Sequence, residues 1–209
     1  MSDPNSLVFI VDDDDHVRRA LSRLVRSAGY RVEAFQSASA FLGGADLSAR
    51  PACLVLDLEL PDKSGLELQR ELNAVLLPII FITGHGDIET TVDAMKAGAA
   101  DFLAKPVCES VLLEALERAL VRSSQVFQQA CEVARLRERV DRLTPREREV
   151  LALVVTGRLN KQVADDLGIA EKTIKIHRAR VMEKLEASSL VDLVRIADKA
   201  GINVPGHRV

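Results

Sequence analysis

The stretch Leu54-Val55-Leu56-Asp57-Leu58-Glu59-Leu60-Pro61 places three apolar residues directly before the carboxylate of Asp57. A short, fully apolar run of this kind is typical of a central strand of a parallel sheet, buried on both faces. Turn-forming residues follow in Pro61–Gly65, so Asp57 falls where the strand ends. In open α/β sheets ligands bind at that edge. From its local context alone, however, such an Asp more often caps a turn or a helix.

Composition describes a folded chain with room for one large domain or two small ones. The sequence has 209 residues, of which 47% are hydrophobic and 28% are charged. No apolar run approaches the ~20 residues of a membrane helix, and the polar start Met1–Asn5 lacks a signal-peptide pattern. Cys53, Cys108 and Cys131 are far apart and odd in number, which suits neither a disulfide framework nor a zinc site. We therefore expect a protein of the reducing cytoplasm with no membrane contact.

Charge is distributed unevenly along the chain. Residues 1–121 carry 11 Lys/Arg against 19 Asp/Glu, a net charge of −8. Residues 122–143 carry 5 against 3 and residues 144–209 carry 12 against 9, net charges of +2 and +3. An acidic front and a basic back indicate different partners for the two ends, although charge alone does not identify them.

Five apolar strands alternate with helical patterns in the front part, which predicts an α/β fold with a doubly wound, five-stranded parallel sheet. The strands are predicted at Leu7–Val11, Tyr30–Phe35, the run ending at Asp57, Ile79–Thr83 and Asp101–Ala104. Helices are expected from Asp14 onward and at about Ala38–Leu42, Leu66–Leu72 and Glu89–Ala97, with Gly43, Gly44 and Pro51 in a loop.

Polar residues end four of these strands: Asp12 and Asp13, then Asp57, Thr83 and Lys105. Converging carboxylates repel one another unless a hard cation lies between them, and oxygen ligands with space for water suit Mg²⁺. An Asp can act as a nucleophile and form an aspartyl-phosphate. A metal ion and the ammonium of Lys105 would neutralise phosphoryl oxygens in the transition state. Thr83 can donate a hydrogen bond to a phosphoryl oxygen.

Residues 5–122 resemble the receiver domain of two-component response regulators, through the pattern Asp12-Asp13, Asp57, Thr83 and Lys105-Pro106. The resemblance implies that Asp57 accepts phosphate from a sensor histidine kinase. It also implies that Mg²⁺ is held by Asp12, Asp13, Asp57 and the backbone carbonyl of Glu59. Thr83 and Phe102 match the family's switch pair, in which the hydroxyl moves towards phosphate and the ring turns inward. The segments Thr83–Asp87 and Ala94–Ala99 are similar to the FixJ-type subgroup.

The segment from Val107 to Leu143 contains neither Gly nor Pro and carries apolar residues at helical spacing. Ser123-Ser124-Gln125 interrupts that pattern. One continuous helix, roughly 55 Å long at 1.5 Å per residue, and two helices broken near Ser123 both remain open.

The back third begins with Thr144-Pro145-Arg146-Glu147, which has the pattern of a capping box. A helix to Gly157, a short helix Asn160–Leu167, a turn at Gly168 and a helix Glu171–Leu185 describe a helix-turn-helix. Any small helical bundle is the alternative. The pattern of the helix Glu171–Leu185 favours the DNA-binding interpretation. Its face opposite Ile174, Val181 and Leu185 carries small and basic residues and fits a major groove. The expected DNA contacts are Lys172, Thr173, Lys175, Ile176, Arg178, Ala179 and Arg180.

Residues Thr144–Leu185 closely resemble the LuxR/FixJ-type helix-turn-helix. Ala170 departs from the family's usual Ser cap, which could cost that helix about 1 kcal/mol. A further helix, Ser189–Ala200, carries Leu190, Leu193, Val194 and Ala197. The resemblance implies that the protein dimerises through this apolar face.

The sequence therefore predicts a phosphorylation-controlled transcription factor rather than an enzyme. Its predicted parts are a receiver domain (1–122), a helical linker (123–143) and a DNA-binding domain (144–209). The expected partners are a sensor histidine kinase, double-stranded promoter DNA and a second copy of the chain, with RNA polymerase as a further candidate. The alternative, a Mg²⁺-dependent phosphotransferase that uses Asp57, has Glu59 where such an enzyme needs a second Asp and leaves the helix-turn-helix unexplained. RNA as the target is disfavoured because aromatic and basic residues are not interleaved.

Overall fold

The computed structural model describes residues 6–47, 51–72, 77–84 and 88–202. The chain divides into two compact units, Met1–Gln128 and Gln129–Val209. Within the predicted FixJ-type motif, residues 85–87 lie outside the described residues. None of the helices in the described ranges is long and apolar enough to cross a lipid bilayer.

The first unit is built on a parallel sheet whose strands follow the predicted apolar runs. The strands are β1 (Leu7–Val11), β2 (Arg31–Phe35), β3 (Ala52–Asp57), β4 (Ile79–Thr83) and β5 (Asp101–Ala104), in the order β2-β1-β3-β4-β5. All four neighbouring pairs are parallel. The predicted α/β fold is therefore confirmed, and β3 lies at its centre.

Helices cover both faces of the sheet. They are α1 (Asp15–Ser27), α2 (Ala38–Gly44), α3 (Gly65–Leu72), α4 (Ile88–Lys96) and α5 (Glu109–Asp141). Successive residues of each central strand enter opposite cores: Leu54 packs in one apolar cluster and Val55 in the other. Because both faces are buried, β3 needs an apolar residue at every position before Asp57.

Two expectations about this unit need revision. Gly43 and Gly44 were expected in a loop, but they form the last turn of α2. Gly44 lies close to β2, where an added Cβ would come within 3.2 Å of the Phe35 ring, a tight approach that the ring would have to accommodate. The two alternatives for residues 107–143 are resolved in favour of one helix, since α5 continues through Ser123 without a break.

The second unit consists of the end of α5 and four shorter helices: α6 (Pro145–Val154), α7 (Asn160–Leu167), α8 (Glu171–Lys184) and α9 (Leu190–Ala200). The predicted capping box is present, because Thr144 Oγ1 accepts from the Glu147 N–H while the Glu147 carboxylate accepts from the Thr144 N–H. Gly168 ends α7 in the left-handed conformation, with φ +64°, and thereby turns the chain into α8.

The core of the second unit uses part of the face that was predicted to be free for dimerisation. Leu193 and Ala197 are fully buried against α6, α7 and α8 residues. Leu190 and Val194 are 37% and 40% exposed, and Val191, which was not expected there, is 62% exposed. The expectation that Leu193 and Ala197 belong to a free surface was wrong, because on a helix wheel they lie on the inward side of α9.

Candidate functional site

The register of the sheet brings the predicted site residues to one edge. Val11 pairs with Leu56, so the next residues along β1 and β3, Asp12 and Asp57, emerge side by side. On the other side of β3, Asp57 pairs with Ile82, so Thr83 follows one position beyond. Lys105 follows Ala104, the partner of Thr83 in β5. The predicted convergence of the carboxyl ends of four strands is therefore present.

Three carboxylates form a cluster at this edge. Oxygen atoms of Asp12, Asp13 and Asp57 all lie within 4.8 Å of one another. Asp12 is 1% exposed and Asp57 is 6% exposed, whereas Asp13 is open to solvent. The Lys105 ammonium donates to Oδ2 of Asp12 at 2.9 Å and to Oδ2 of Asp57 at 2.6 Å. One cation thus bridges the two buried anions.

Burial and charge act in opposite directions on these groups. Burial raises the pKa of the Asp12 carboxyl above its usual range, against the lowering effect of Lys105, and the charge of Asp57 raises it further. Burial would lower the pKa of Lys105, but its hydrogen bonds to Asp57 and Asp12 outweigh this and raise that pKa. The site therefore keeps a charged lysine beside an excess of negative charge.

The cluster fits a hard divalent cation. Its three side chains offer only oxygen donors, and the solvent-exposed side at Asp13 leaves room for water ligands, which are the requirements of Mg²⁺. The backbone N–H of Glu59 donates to Oδ1 of Asp57 at 3.1 Å. The backbone carbonyl of Glu59 stays a predicted ligand of Mg²⁺.

The predicted switch pair lies beside this cluster. Thr83 is fully buried at the end of β4. Phe102 in β5 is half-buried, and its ring centroid is 6.1 Å from that of Phe81. The switch role of Thr83 and Phe102 stays a prediction.

The second unit presents a basic helix face. Ile174, Val181 and Leu185 are buried, as predicted. The opposite side of α8 is exposed at Lys172, Lys175, Ile176, Ala179 and Arg180, and Thr173 and Arg178 are half-buried. The predicted lack of a cap is also observed, because Ala170 offers no side-chain hydrogen bond at the start of α8. This face can approach a groove without moving the core.

Two known protein families match the chain, one in each unit. Residues 8–117 match the family described as "Response regulator receiver domain", and residues 141–197 match "Bacterial regulatory proteins, luxR family". The chain is a response regulator. The first match covers the acidic cluster, and the second covers the basic helix α8.

Relatives of this response regulator match it along nearly its whole length. It is 48% identical to "Response regulator protein TodT" of Pseudomonas putida, over 95% of this chain and 88% of that protein. It is 44% identical to "Transcriptional regulatory protein FixJ" of Rhizobium meliloti, over 93% and 96%. A solved structure of the response regulator StyR matches with a TM-score of 0.84 and 47% identity, over 93% and 99%. A transcription-regulating response regulator is therefore the class of this protein.

Three neighbours of the acidic site in this response regulator were not singled out from the sequence. The guanidinium of Arg18 donates to the backbone carbonyl of Asp12 at 2.8 Å and forms an ion pair with Asp15. The carboxylate of Asp62 accepts from the N–H of Ser39 at 2.9 Å, which ties the loop after β3 to α2. A Cβ on Gly65 would come within 2.7 Å of the Asp57 carbonyl.

Of these three, only Gly65 had a sequence signal, because it closes the turn after β3. The other two depend on contacts between elements that are distant in the sequence or on the direction of one long side chain. The basic helix has a similar case: Arg178 donates to Oδ1 of Asn160 at 3.1 Å, a link between α8 and α7 that spacing did not indicate.

Proposed function

We propose that Asp57 is the phosphoacceptor and that its phosphorylation by a sensor histidine kinase controls binding of the second unit to promoter DNA. The observation that carries this proposal is the sharing of Lys105 between the buried carboxylates of Asp12 and Asp57. Burying two carboxylates around one lysine is costly for the stability of the fold. Charged clusters of this kind occur preferentially at functional sites, where the charges are needed for chemistry. The family and the basic face of α8 support DNA binding as the function of the second unit.

The kinase would donate the phosphoryl group from a phosphohistidine. A carboxylate oxygen of Asp57 attacks phosphorus and forms a P–O bond, while the P–N bond breaks and its electron pair stays on the imidazole nitrogen. The N–H of Glu59 holds Oδ1 of Asp57 and thereby fixes the plane of the carboxylate. Lys105 then moves its hydrogen bond from Asp57 to a phosphoryl oxygen.

Mg²⁺ bound by Asp12, Asp13, Asp57 and the Glu59 carbonyl would supply positive charge to the phosphoryl oxygens. Asp12 and Asp13 would fix the position of that charge, since they are the first two residues after β1. The Thr83 hydroxyl donates to a phosphoryl oxygen after transfer, and Phe102 turns towards the space that Thr83 leaves.

Residues 1–122 act as the phosphoacceptor domain, residues 123–143 as a helical linker and residues 144–209 as the DNA-binding domain. The phosphorylated chain dimerises and binds promoter DNA, where a second copy provides the affinity that one recognition helix lacks. Exposed Leu190, Val191 and Val194 on α9 support this dimer. RNA polymerase is the partner at the promoter, and the cytoplasm is the site of action. The phosphoryl group acts as a signal in this chain, which is a regulator rather than an enzyme.

The test is phosphate incorporation from acetyl phosphate in the presence of Mg²⁺. Asp57→Asn replaces the carboxylate by a nearly isosteric amide that cannot accept a phosphoryl group, so labelling should vanish while the fold persists. Asp93→Asn, a change of the same kind on the exposed side of α4, is the matched control and should label like the parent. Equal labelling of Asp57→Asn and the parent would contradict the assignment.

A further inference from the structure

Asp62 lies in the turn after β3 and connects that turn to the start of α2. Its Oδ2 accepts from the N–H of Ser39 at 2.9 Å, and its Oδ1 accepts from the N–H of Ala38 at 3.3 Å. Hydrogen bonds from the Ser39 hydroxyl and N–H lower the pKa of the Asp62 carboxyl, so it is ionised near neutral pH. The carboxylate thus joins two segments that are 23 residues apart in the sequence.

The start of α2 is also tied to the first carboxylate of the cluster. β2 ends at Phe35, three residues before α2 begins, and the Phe35 carbonyl accepts from the backbone N–H of Asp12 at 3.3 Å. α2 already has an N-cap of its own, because the Ser37 side chain accepts from the Ala40 N–H at 3.1 Å. The bonds of Asp62 are therefore additional to ordinary capping, and they connect the turn after β3 with the end of β1.

On the side of β3, a short and stiff segment leads from Asp62 to the predicted metal ligand. Two residues, Leu60 and Pro61, separate Asp62 from Glu59. Leu60 is partly buried against the apolar core, and the ring of Pro61 fixes its φ angle. The N–H of Glu59 in turn donates to Oδ1 of Asp57 at 3.1 Å. A displacement of Asp62 is therefore transmitted to the Glu59 carbonyl rather than absorbed by the turn.

We propose that Asp62 is a positioning residue that makes the carboxylate cluster selective for Mg²⁺ over Ca²⁺. The inference rests on the Mg²⁺ site of the proposed function. Asp12 follows β1, whereas Asp57 and the Glu59 carbonyl belong to the end of β3, and Asp62 links these two groups of ligands through the start of α2. Mg²⁺ needs near-ideal octahedral geometry at about 2.0–2.1 Å, whereas Ca²⁺ accepts irregular ligands at about 2.3–2.6 Å. A link that fixes the separation of the ligands therefore favours Mg²⁺.

The test measures the affinities of the full chain for Mg²⁺ and for Ca²⁺ by calorimetry, without a phosphate donor. Asp62→Ala removes the link at an exposed position, so the variant should fold. We expect its Mg²⁺ affinity to fall by about tenfold, as when the support of a metal ligand is removed, and its Ca²⁺ affinity to fall much less. The loss of one surface charge would instead weaken both cations alike, because they carry the same charge. An unchanged ratio of the two affinities in Asp62→Ala overturns the proposal.

Two further variants separate the link from charge and from other contacts of the turn. Asp62→Asn removes the charge but keeps an oxygen that can accept from the Ser39 N–H, so it should retain most of the preference for Mg²⁺. Glu71→Gln breaks the ion pair with Lys63, the neighbour of Asp62, and should leave the ratio of the two affinities unchanged. A ratio that falls as far in either variant as in Asp62→Ala overturns the proposal.

The same measurements distinguish this inference from helix capping and from the proposed function. If Asp62 only caps α2, its removal lowers the free energy of unfolding and leaves the ratio of the affinities unchanged. Labelling of Asp57 by acetyl phosphate is a separate result: a parent that does not label contradicts the proposed function, whereas the two affinities still test Asp62. A parent that binds no Mg²⁺ overturns the metal site and this inference together.

Discussion

The ammonium nitrogen of Lys105 lies 2.6 Å from Oδ2 of Asp57, although the two residues end different strands with β4 between them. The side chain of Lys105 must therefore reach across the end of β4. Asp57 is almost fully buried, so this bond holds a carboxylate that would otherwise be costly to keep charged. When Asp57 is phosphorylated, the same nitrogen is positioned to move its hydrogen bond from Asp57 to a phosphoryl oxygen.

We predict that, as pH decreases, the Mg²⁺ affinity begins to fall at a higher pH than it would for a site made of exposed aspartates. Metal ligation needs the ionised carboxylate, and burial raises the pKa of Asp12. Protonation of Asp12 therefore begins at a higher pH than for an exposed Asp, and it competes with the metal there. Calorimetric titrations with Mg²⁺ at neutral pH and at a series of more acidic pH values would measure the effect.

Two double variants provide the control for this prediction. Asp12→Asn with Asp13→Asn should weaken Mg²⁺ binding by at least about tenfold and flatten its pH dependence. Asp14→Asn with Asp15→Asn removes as much charge from the same acidic run, but Asp14 caps α1 and Asp15 pairs with Arg18. Equal loss of affinity in the two double variants would show that the run acts only through its overall charge.

Thr83→Ala is predicted to separate phosphorylation from its consequence. Thr83 is fully buried at the end of β4 and would donate to the phosphoryl group only after transfer. The variant should accept phosphate from acetyl phosphate but lose most of the phosphate-dependent gain in dimerisation, measured by sedimentation. Thr83→Ser keeps the hydroxyl and should retain that gain. Undiminished dimerisation of phosphorylated Thr83→Ala would count against coupling through α4, β5 and α5.

Much of this architecture could be predicted from the sequence because local and long-range requirements agree. β1 and β4 begin and end at the predicted residues, since a strand buried on both faces needs a continuous apolar run that ends abruptly. The edge strand β5 also has its predicted bounds, although it is only partly buried. The site residues follow those ends directly, so the parallel order of the sheet is enough to bring Asp12, Asp57 and Thr83 together.

The errors have physical reasons as well. Gly43 and Gly44 were assigned to a loop because glycine has a low helix propensity, but α2 continues through both residues. Leu193 and Val194 are equally apolar, and only the packing of α9 shows that the first is buried and the second is not. The bonds of Arg18, Asp62 and Asn160 depend on side-chain directions in the folded protein, which periodicity does not specify.

We predict that Glu147→Gln destabilises the second unit. The carboxylate is 2% exposed and accepts from the Lys184 ammonium at 2.6 Å. Breaking a fully buried pair costs about 3–5 kcal/mol, but Lys184 is one-third exposed, so about 2 kcal/mol is expected. Glu149→Gln, at an exposed ion pair with Arg146, should cost less than about 1 kcal/mol. Urea unfolding with hydrogen exchange of α6 and α8 would report on this unit.

The pH dependence of this effect has a definite sign. Burial would raise the pKa of Glu147, but its hydrogen bonds to Lys184 and Thr144 outweigh this and lower it. The contribution of Glu147 to stability is therefore fully present above the unfolded-state pKa of about 4.5 and is lost as pH falls through the lower folded-state value. The difference in the free energy of unfolding between the parent and Glu147→Gln should therefore decrease as pH falls through that range. A difference that stays constant to lower pH would contradict the ion pair as its source.

The recognition helix is predicted to divide base reading from phosphate binding. Lys175 is exposed in the middle of the basic face of α8 and is paired only at the surface with Glu171. Lys175→Ala should cost about 1–3 kcal/mol on a selected inverted repeat and relax sequence preference. Arg178 is half-buried and held by Asn160, so Arg178→Ala should weaken all duplexes alike and flatten the salt dependence.

Gel shifts of the phosphorylated chain at two salt concentrations, on the selected repeat and on a scrambled duplex, distinguish these roles. Asn160→Ala should weaken binding in the same direction as Arg178→Ala, because its amide oxygen orients the guanidinium. Lys199→Ala removes an exposed lysine of α9 that pairs with Glu132, and it should leave sequence preference unchanged. If Lys175→Ala instead loses selected and scrambled DNA equally, Lys175 binds only phosphate, and base reading must come from other residues on this face of α8.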